Sequence, residues 1–380
     1  MNELTRMYRY FFAITFLVCT AFSSSAQSSF DDNPEIAGLL KKGVDYIYNA
    51  DLENFNRVAE QVNQKMPNHP VYPMLKAMAI RTAYYPIEVS SPEFEQMRAH
   101  LEEVVNRAEV ILEEDEDQPV ANFFALASLG LLAMYENDAG NSFKAVGYAK
   151  EAYNYLKTGF ELKEKYDEFY FSTGLYNYYR VKFPELHPIY KTFTWFFRDG
   201  DLAQGLQQLD LAYRRSVFMR PEAASYLTHI YLHYEDQPLK ALPYVRQMVR
   251  SYPNNLSFNV GYLEAAIAAG KYDNLDFYVN QLKGSEKAYF QMTGHLFEAA
   301  LLEKKEAQWE KAEDAYLKAL TIGNQLSSDE ARHFRSYTYA GLARIAISKG
   351  APGAARKLYQ DALSEARYPP LKEEAEAYLD

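Results

Sequence analysis

The sequence contains almost no cysteine. Of its 380 residues only Cys19 is a cysteine, and it lies in an apolar segment near the N-terminus. Without further thiols the chain can form no disulfide framework and no cysteine-based zinc site, and beyond residue 26 it has no thiol nucleophile. Folding must therefore depend on the burial of apolar surface.

Several sequence motifs that are typical of enzymes and of nucleic-acid-binding proteins are also missing. The sequence has no GxSxG nucleophile motif, no phosphate-binding Gly-rich loop and no dinucleotide-binding fingerprint. Acidic residues outnumber basic residues by 51 to 40, which gives a net charge of −11. Nucleic-acid binding needs a basic stripe that neutralises phosphates, and no such stripe is present. We therefore expect no nucleic-acid partner, no cofactor and no enzymatic activity.

The N-terminal segment has the layout of a secretory signal peptide. Arg6 and Arg9 form a basic start, residues 11–22 are an apolar run, and Ser24 to Ala26 supply a small-residue exit. The apolar run is shorter than the roughly 20 residues that cross a bilayer. We expect residues 1–26 to be cleaved after Ala26, which leaves a periplasmic or secreted chain with no transmembrane segment.

The remaining chain has the hydrophobic spacing of helices. It is rich in rings, with 33 Tyr and 23 Phe in the whole sequence, and apolar residues recur three and four positions apart in almost every segment. No segment shows the alternation typical of a half-buried strand. The pattern predicts an all-α fold built from consecutive amphipathic helices.

A unit of about 34 residues recurs along the chain. Each copy has small residues where two helices would pack closely and large residues between them. The copies span residues 37–70, 222–255, 293–326 and 336–369. The residues that carry the match are Gly43, Tyr46, Ala59, Ala241, Ala312, Tyr316, Ala343, Gly350, Ala355 and Tyr359. These units resemble the tetratricopeptide repeat, and the resemblance implies an α-α superhelix of antiparallel helix pairs.

The repeat suggests how the chain is organised. We predict an N-terminal repeat-like unit over 27–70, irregular helical pairs over 71–221 with an aromatic insertion near 183–199, a C-terminal repeat array over 222–370 and a capping helix over 371–380. Helices of the irregular region are predicted at 71–85, 93–113, 119–136, 141–163 and 168–182. The chain is too long for one compact core, which agrees with an array.

Residues 168–197 contain twelve aromatic side chains. If all were exposed they would present on the order of 2,000 Å² of surface. Soluble monomers rarely expose contiguous apolar patches of more than a few hundred Å². Most of these rings are therefore predicted to be packed in the core.

A minority of the rings can serve a binding groove. The resemblance implies that a ligand lies on the concave face, which the first helix of each pair lines. A shift of one residue in register would turn Phe171 and Tyr178 into the core instead. Tyrosine combines contact area with a polar tip, which suits an extended peptide or a sugar. The residues that we predict to line the groove are Phe171, Tyr178, Tyr179, Tyr226, Ile230, His233, Tyr234 and Glu264.

His229 and His233 are four residues apart on one predicted helix, a spacing that can hold a metal. No HExxH motif and no cysteine accompany them, and His229 stands where the repeat needs a small packed residue. Because the sequence shows no third ligand, we predict that no metal binds to this pair.

These observations favour a non-enzymatic, exported scaffold, in a bacterial periplasm, that binds a protein or peptide partner. Two alternatives remain open. A glycan-binding helical protein would share the tyrosine-rich groove, and an all-helical toroidal enzyme acting on polysaccharide would share the length and the richness in rings. The presence of only 2 Trp and the repeat-type helix pairs argue against the toroidal enzyme.

Overall fold

The computed structural model describes residues 33–186 and 197–380. The predicted signal peptide and most of the predicted aromatic insertion lie outside these residues. Within them the chain forms seventeen α-helices and no β-strand. In chain order the helices are α1 (Pro34–Tyr48), α2 (Leu52–Lys65), α3 (Val71–Ala83), α4 (Pro92–Leu112), α5 (Pro119–Asp138), α6 (Ser142–Leu162), α7 (Phe169–Leu186), α8 (Leu202–Arg215), α9 (Arg220–His233), α10 (Pro238–Ser251), α11 (Leu256–Ala268), α12 (Asp276–Lys283), α13 (Ala288–Lys304), α14 (Trp309–Gly323), α15 (Asp329–Ser348), α16 (Pro352–Glu365) and α17 (Pro369–Leu379).

Consecutive helices pack as pairs, from α1 with α2 to α15 with α16, and α17 closes the series. This arrangement confirms the predicted all-α superhelix. The helices of the irregular region start and end close to the predicted positions, and the largest difference is at the end of α7, which continues to Leu186. Most residues that face the inside of the array belong to the first helix of a pair, and Val245 and Met248 of the second helix α10 also face it.

Several pairs meet where glycine allows close approach. A Cβ atom built on Gly341 of α15 would lie 2.2 Å from Cζ of Tyr316 on α14. On α7 and α8 two glycines face each other, since a Cβ on Gly174 would lie 3.0 Å from the carbonyl oxygen of Gly205. Helix axes this close leave no room for a side chain, so glycine at these positions is set by packing.

Six first helices are followed by a residue with left-handed backbone conformation, and four of these residues belong to turns that share the same hydrogen bond. These four residues are Ala50 (φ 57°), Gly140 (φ 78°), Gly270 (φ 65°) and Gly350 (φ 70°). The next backbone N–H then reaches back to a carbonyl five residues earlier, as from Asp51 to Tyr46 at 2.9 Å. This hydrogen bond satisfies a carbonyl that the helix end would leave free, and it starts the second helix in the same direction each time.

The first helices of the chain contact helices that lie more than 140 residues later. The Tyr252 hydroxyl donates to Asp45 at 3.1 Å, and the Asn255 amide donates to the Tyr48 carbonyl at 3.1 Å. Lys287 donates to the Ala83 carbonyl at 2.6 Å. We call this contact of α1 and α3 with the segment from α9 to α13 the seam. Because of the seam, the array closes on itself and its concave face becomes the wall of a cavity.

Among the described helices, α5 is long and apolar enough to cross a membrane. However, 67% of its most apolar stretch is buried inside the protein. Phe123, Phe124 and Leu129 of this helix are packed in the largest core cluster. Core packing therefore accounts for the apolar character of α5.

Candidate functional site: the central cavity

A cavity of about 480 Å³ lies on the concave face of the closed array. Its volume is within the range of roughly 300–1,000 Å³ that is usual for ligand sites. Most of its lining residues belong to α1, α3, α5, α9, α11, α13 and α15, and α10 and the segment before α17 contribute most of the rest. Met134 and Ser225 are both lining residues and exposed, so the cavity opens to solvent.

Aromatic rings form much of the cavity wall. Tyr85 and Tyr289 meet edge to face across the seam, with ring centroids 5.8 Å apart. Tyr368 stacks on His233 at 4.4 Å and meets His229 edge to face at 4.9 Å. Such contacts hold the rings in fixed positions, so the wall is preorganised for a ligand.

Acidic groups outnumber basic groups on this wall. The lining residues include Glu222, Glu264, Asp329 and Glu330 but only Arg81 and Arg367 as cations. Arg81 pairs with Glu222, and Arg367 contacts Asp329. Within the described residues the Glu330 carboxylate has neither an ion pair nor a hydrogen bond. It is the carboxylate most available to a cationic ligand.

A further carboxylate adds to the negative potential. Burial raises the pKa of Asp138, and the neighbouring charges of Asp329 and Glu330 raise it further. The charges of Asp329 and Glu330 therefore repel the ionised form of Asp138 at this end of the cavity. A bound cation would relieve the repulsion.

The three cavity histidines are neutral at physiological pH. Burial lowers the pKa of His229 and of His333 to about 3, and it holds the pKa of His233 well below its ordinary value. Burial also raises the pKa of the Glu264 carboxyl. The imidazoles therefore offer lone pairs rather than positive charges.

Three of the predicted groove residues line the cavity. Tyr226, His233 and Glu264 all form part of its wall. Phe171, which is partly buried, packs against Tyr226 with ring centroids 5.5 Å apart. Phe171 thus supports the wall from behind and does not line it.

The other predicted groove residues lie between α7 and α9. Tyr178 and Ile230 are 0% exposed and belong to a core cluster, so the structure places them inside and not on an open wall. The close approach of α7 to α8 at Gly205 explains this, because a Cβ on Gly205 would lie 2.9 Å from Cβ of Tyr178. Tyr179 and Tyr234 are partly buried and pack against each other at 5.8 Å.

Sequence reasoning missed most of the seam side of the cavity. Arg81, Arg367, His333 and Tyr368 were not among the predicted groove residues, yet all four line the cavity. The sequence contains one local signal for this side of the cavity. Arg81 follows a run of apolar residues on α3, so its position is not that of an ordinary charged residue on a solvated helix face. The other residues reach the site only through long-range packing.

No family model matches the sequence, and no curated protein matches it. Among solved structures the chain is similar to the crystal structure of the yeast Tom70, with a TM-score of 0.36 and 10% sequence identity. The alignment covers 88% of this chain and 86% of that chain. The superhelical fold described above rests on the helix pairs of the chain itself.

Proposed function

We propose that this protein is a non-enzymatic helical-repeat scaffold, similar to tetratricopeptide-repeat proteins, whose central cavity binds a segment of a protein or peptide partner. The observation that carries the proposal is the convergence of first helices on one cavity. Of the described pairs, seven contribute a first helix to its wall. Repeat superhelices use such concave faces as extended binding surfaces.

The chemistry of the wall favours a partner segment with a lysine or arginine side chain. Glu330 offers a carboxylate without a partner in the described structure, and the rings of Tyr85, Tyr226 and Tyr289 line the same cavity. A cation gains from a charge-assisted hydrogen bond to the carboxylate and from the faces of the rings. The excess of carboxylates would repel an acidic segment.

Two of the four serine and threonine hydroxyl groups on the wall, those of Ser225 and Thr228, are engaged within their own helix. The Thr228 hydroxyl donates to the Ala224 carbonyl at 2.7 Å, and the Ser225 hydroxyl donates to the Pro221 carbonyl at 3.0 Å. Each hydroxyl proton is thus used within helix α9 and is not shared with a cavity histidine. Nucleophilic catalysis requires a hydroxyl that donates to a base.

We also propose that the protein is exported, with residues 1–26 removed as a signal peptide and Gln27 as the new N-terminus. The basic start and the small residues before Gln27 motivate this proposal. N-terminal sequencing of exported protein tests it. Intact residues 1–26 on that protein would contradict it.

Selection from a random peptide library tests the peptide-binding function. A photoreactive residue at position 225 reports contact inside the cavity, and the same residue at position 110 serves as a control. Val110 is 64% exposed on α4, the outer helix of its pair. We expect selected peptides to be rich in lysine or arginine and to cross-link from position 225 only.

Two results would overturn the proposal. Equal cross-linking from positions 225 and 110 would show that the cavity is not the binding surface. Binding on a glycan array by a protein that selects no peptide would favour the glycan-binding alternative.

A further inference from the structure

Three potential metal ligands meet at the cavity wall. His233 ends α9, Glu264 lies on α11 and His333 lies on α15, so the three side chains come from three different helix pairs. Nε2 of His333 lies 3.2 Å from Oε1 of Glu264, and Nε2 of His233 lies 3.6 Å from the same oxygen. One ligand atom of each residue lies within 4.8 Å of those of the other two.

These distances are close to those that a metal ion requires. In a tetrahedral site with bonds of about 2.0–2.2 Å, neighbouring donor atoms stand roughly 3.3–3.6 Å apart. Both nitrogen–oxygen distances at Glu264 are near this range. The two imidazole rings meet edge to face, with ring centroids 5.1 Å apart.

A hydrogen-bond network alone does not explain the arrangement. His233 is only 4% exposed, and its 3.6 Å distance to Glu264 is too long for a hydrogen bond. Its Nδ1 atom is buried with no partner in the described part of the chain, and the same holds for Nδ1 of His333. A metal bound between Nε2 of His233 and the Glu264 carboxylate would replace this long contact with two coordination bonds.

We propose that His233, Glu264 and His333 bind one divalent transition-metal ion of the class that zinc(II) represents. Imidazole and carboxylate are ligands that this class accepts, and two histidines with one glutamate form a known zinc ligand set. All three residues line the cavity, so the open coordination position faces it. A donor group of a bound segment could take that position.

The proposal replaces the prediction that no metal binds near His229 and His233. That prediction rested on the lack of a third ligand, and folding supplies Glu264 and His333 from distant helices. His229 does not belong to the three-residue group, although its ring lies 4.6 Å from that of His233. The i, i+4 histidine pair is therefore not the site, and only His233 of the pair contributes.

The affinity should be moderate. Ligating histidines usually donate their second ring N–H to a carboxylate or a carbonyl, and loss of such a partner weakens binding by about 10–100-fold. Neither Nδ1 atom has such a partner within the described residues. We therefore expect weaker binding than at a structural zinc site with a complete outer hydrogen-bond shell.

Calorimetric titration of the metal-free full chain with zinc(II) tests the proposal without any peptide. We expect one equivalent of zinc to bind to the wild type and a rise in melting temperature with zinc. His333→Gln and Glu264→Gln should each weaken binding at least about tenfold. Cobalt(II) should give the visible absorption of a low-coordinate site in the wild type, a measurement that does not depend on either variant folding.

Two control variants separate this site from ordinary histidines. His229→Gln changes a neighbouring ring outside the three-residue group. His295→Gln changes a histidine that lies 3.2 Å from Glu298 but is not in a group of three ligands. Both controls should bind zinc as the wild type does. No saturable zinc binding by the wild type, or undiminished binding by both ligand variants, would overturn the proposal.

Discussion

Arg81 and Glu222 form two parallel hydrogen bonds across the seam, of 2.9 and 3.0 Å, although 141 residues separate them in the chain. The Tyr48 hydroxyl donates to the same carboxylate at 2.5 Å. Burial of Glu222 opposes its ionisation, but Arg81 more than offsets this effect and lowers the pKa of Glu222. The pair both closes the array and shapes the cavity wall.

Removing one partner of this pair should destabilise the protein strongly. Glu222→Gln leaves the partly buried Arg81 guanidinium without a counter-charge, which costs at most about 3–5 kcal/mol, the loss found for fully buried pairs. The double variant Arg81→Gln/Glu222→Gln should lose less than the sum of the single losses, because the residues interact directly. Chemical denaturation measures all three variants.

An exposed ion pair provides the control for this experiment. Arg57 and Glu53 form an i, i+4 pair whose side chains are 64% and 82% exposed. Glu53→Gln should change the free energy of unfolding by no more than about 0.5 kcal/mol. Strict additivity of the Arg81 and Glu222 losses would contradict a coupled seam.

The Gly341→Ala substitution should destabilise the contact of α14 with α15. The new methyl group would lie 2.2 Å from Cζ of Tyr316, which is 1% exposed and donates to Glu303 at 2.5 Å. Since this ring cannot move freely, overpacking should cost about 1–3 kcal/mol. Gly130→Ala is the matched control, because no atom lies within 4 Å of a Cβ there.

The control glycine should behave in the opposite way. Alanine at an open helix position stabilises by about 0.5–1 kcal/mol. Thermal unfolding of the two variants should therefore shift in opposite directions. Equal shifts would show that the close approach at Gly341 is not a constraint.

At the residues with left-handed backbone conformation, exchanging alanine for glycine and glycine for alanine should change the free energy of unfolding in opposite directions. Ala50 has φ 57° and Gly350 has φ 70°, and both are exposed. Alanine in this conformation costs roughly 1–2 kcal/mol, so Ala50→Gly should stabilise the protein by about 0.5–1 kcal/mol and Gly350→Ala should destabilise it. Urea denaturation measures both, and stabilisation by Gly350→Ala would contradict the assignment.

Glu168 should make the stability depend on pH. Complete burial raises the pKa of its carboxyl to about 7, and hydrogen bonds from the backbone N–H groups of residues 217–219 limit the rise. Because the unfolded chain releases this proton at about pH 4.3, the stabilisation is complete below that pH and is lost as the pH rises to about 7.

Comparison with Glu168→Gln isolates this effect. The glutamine does not titrate, so the wild type should lose up to about 3–4 kcal/mol relative to the variant between pH 4.5 and 8. Urea denaturation at several pH values measures the difference. A wild type that gains stability relative to the variant over this interval would contradict the raised pKa.

Local patterns were sufficient to predict the helices and their pairing. Spacing of apolar residues located α3 to α6 to within about two residues of the observed bounds. Small residues such as Ala312 and Ala343, both 0% exposed, lie where pairs pack, as predicted. These features depend on neighbours in sequence, which is why the sequence alone reveals them.

The closure of the array could not be predicted in the same way. Whether α1 and α3 meet α9 to α13 depends on small rotations between successive pairs, which add up along the chain. No local sequence pattern indicates the total rotation that these steps produce. The same limit explains why Glu264 was assigned to the groove but its partner His333, 69 residues later, was missed.

The central claim is that the cavity binds a segment with a basic side chain. The most direct test is the dissociation constant of a library-selected, arginine-containing peptide for the wild type, for Glu330→Gln and for the control Glu310→Gln on the exposed start of α14. A hydrogen bond to a charged group contributes about 1.5–3 kcal/mol, so Glu330→Gln should weaken binding by about tenfold or more, while Glu310→Gln leaves it unchanged. Equal affinity of all three proteins would contradict the claim.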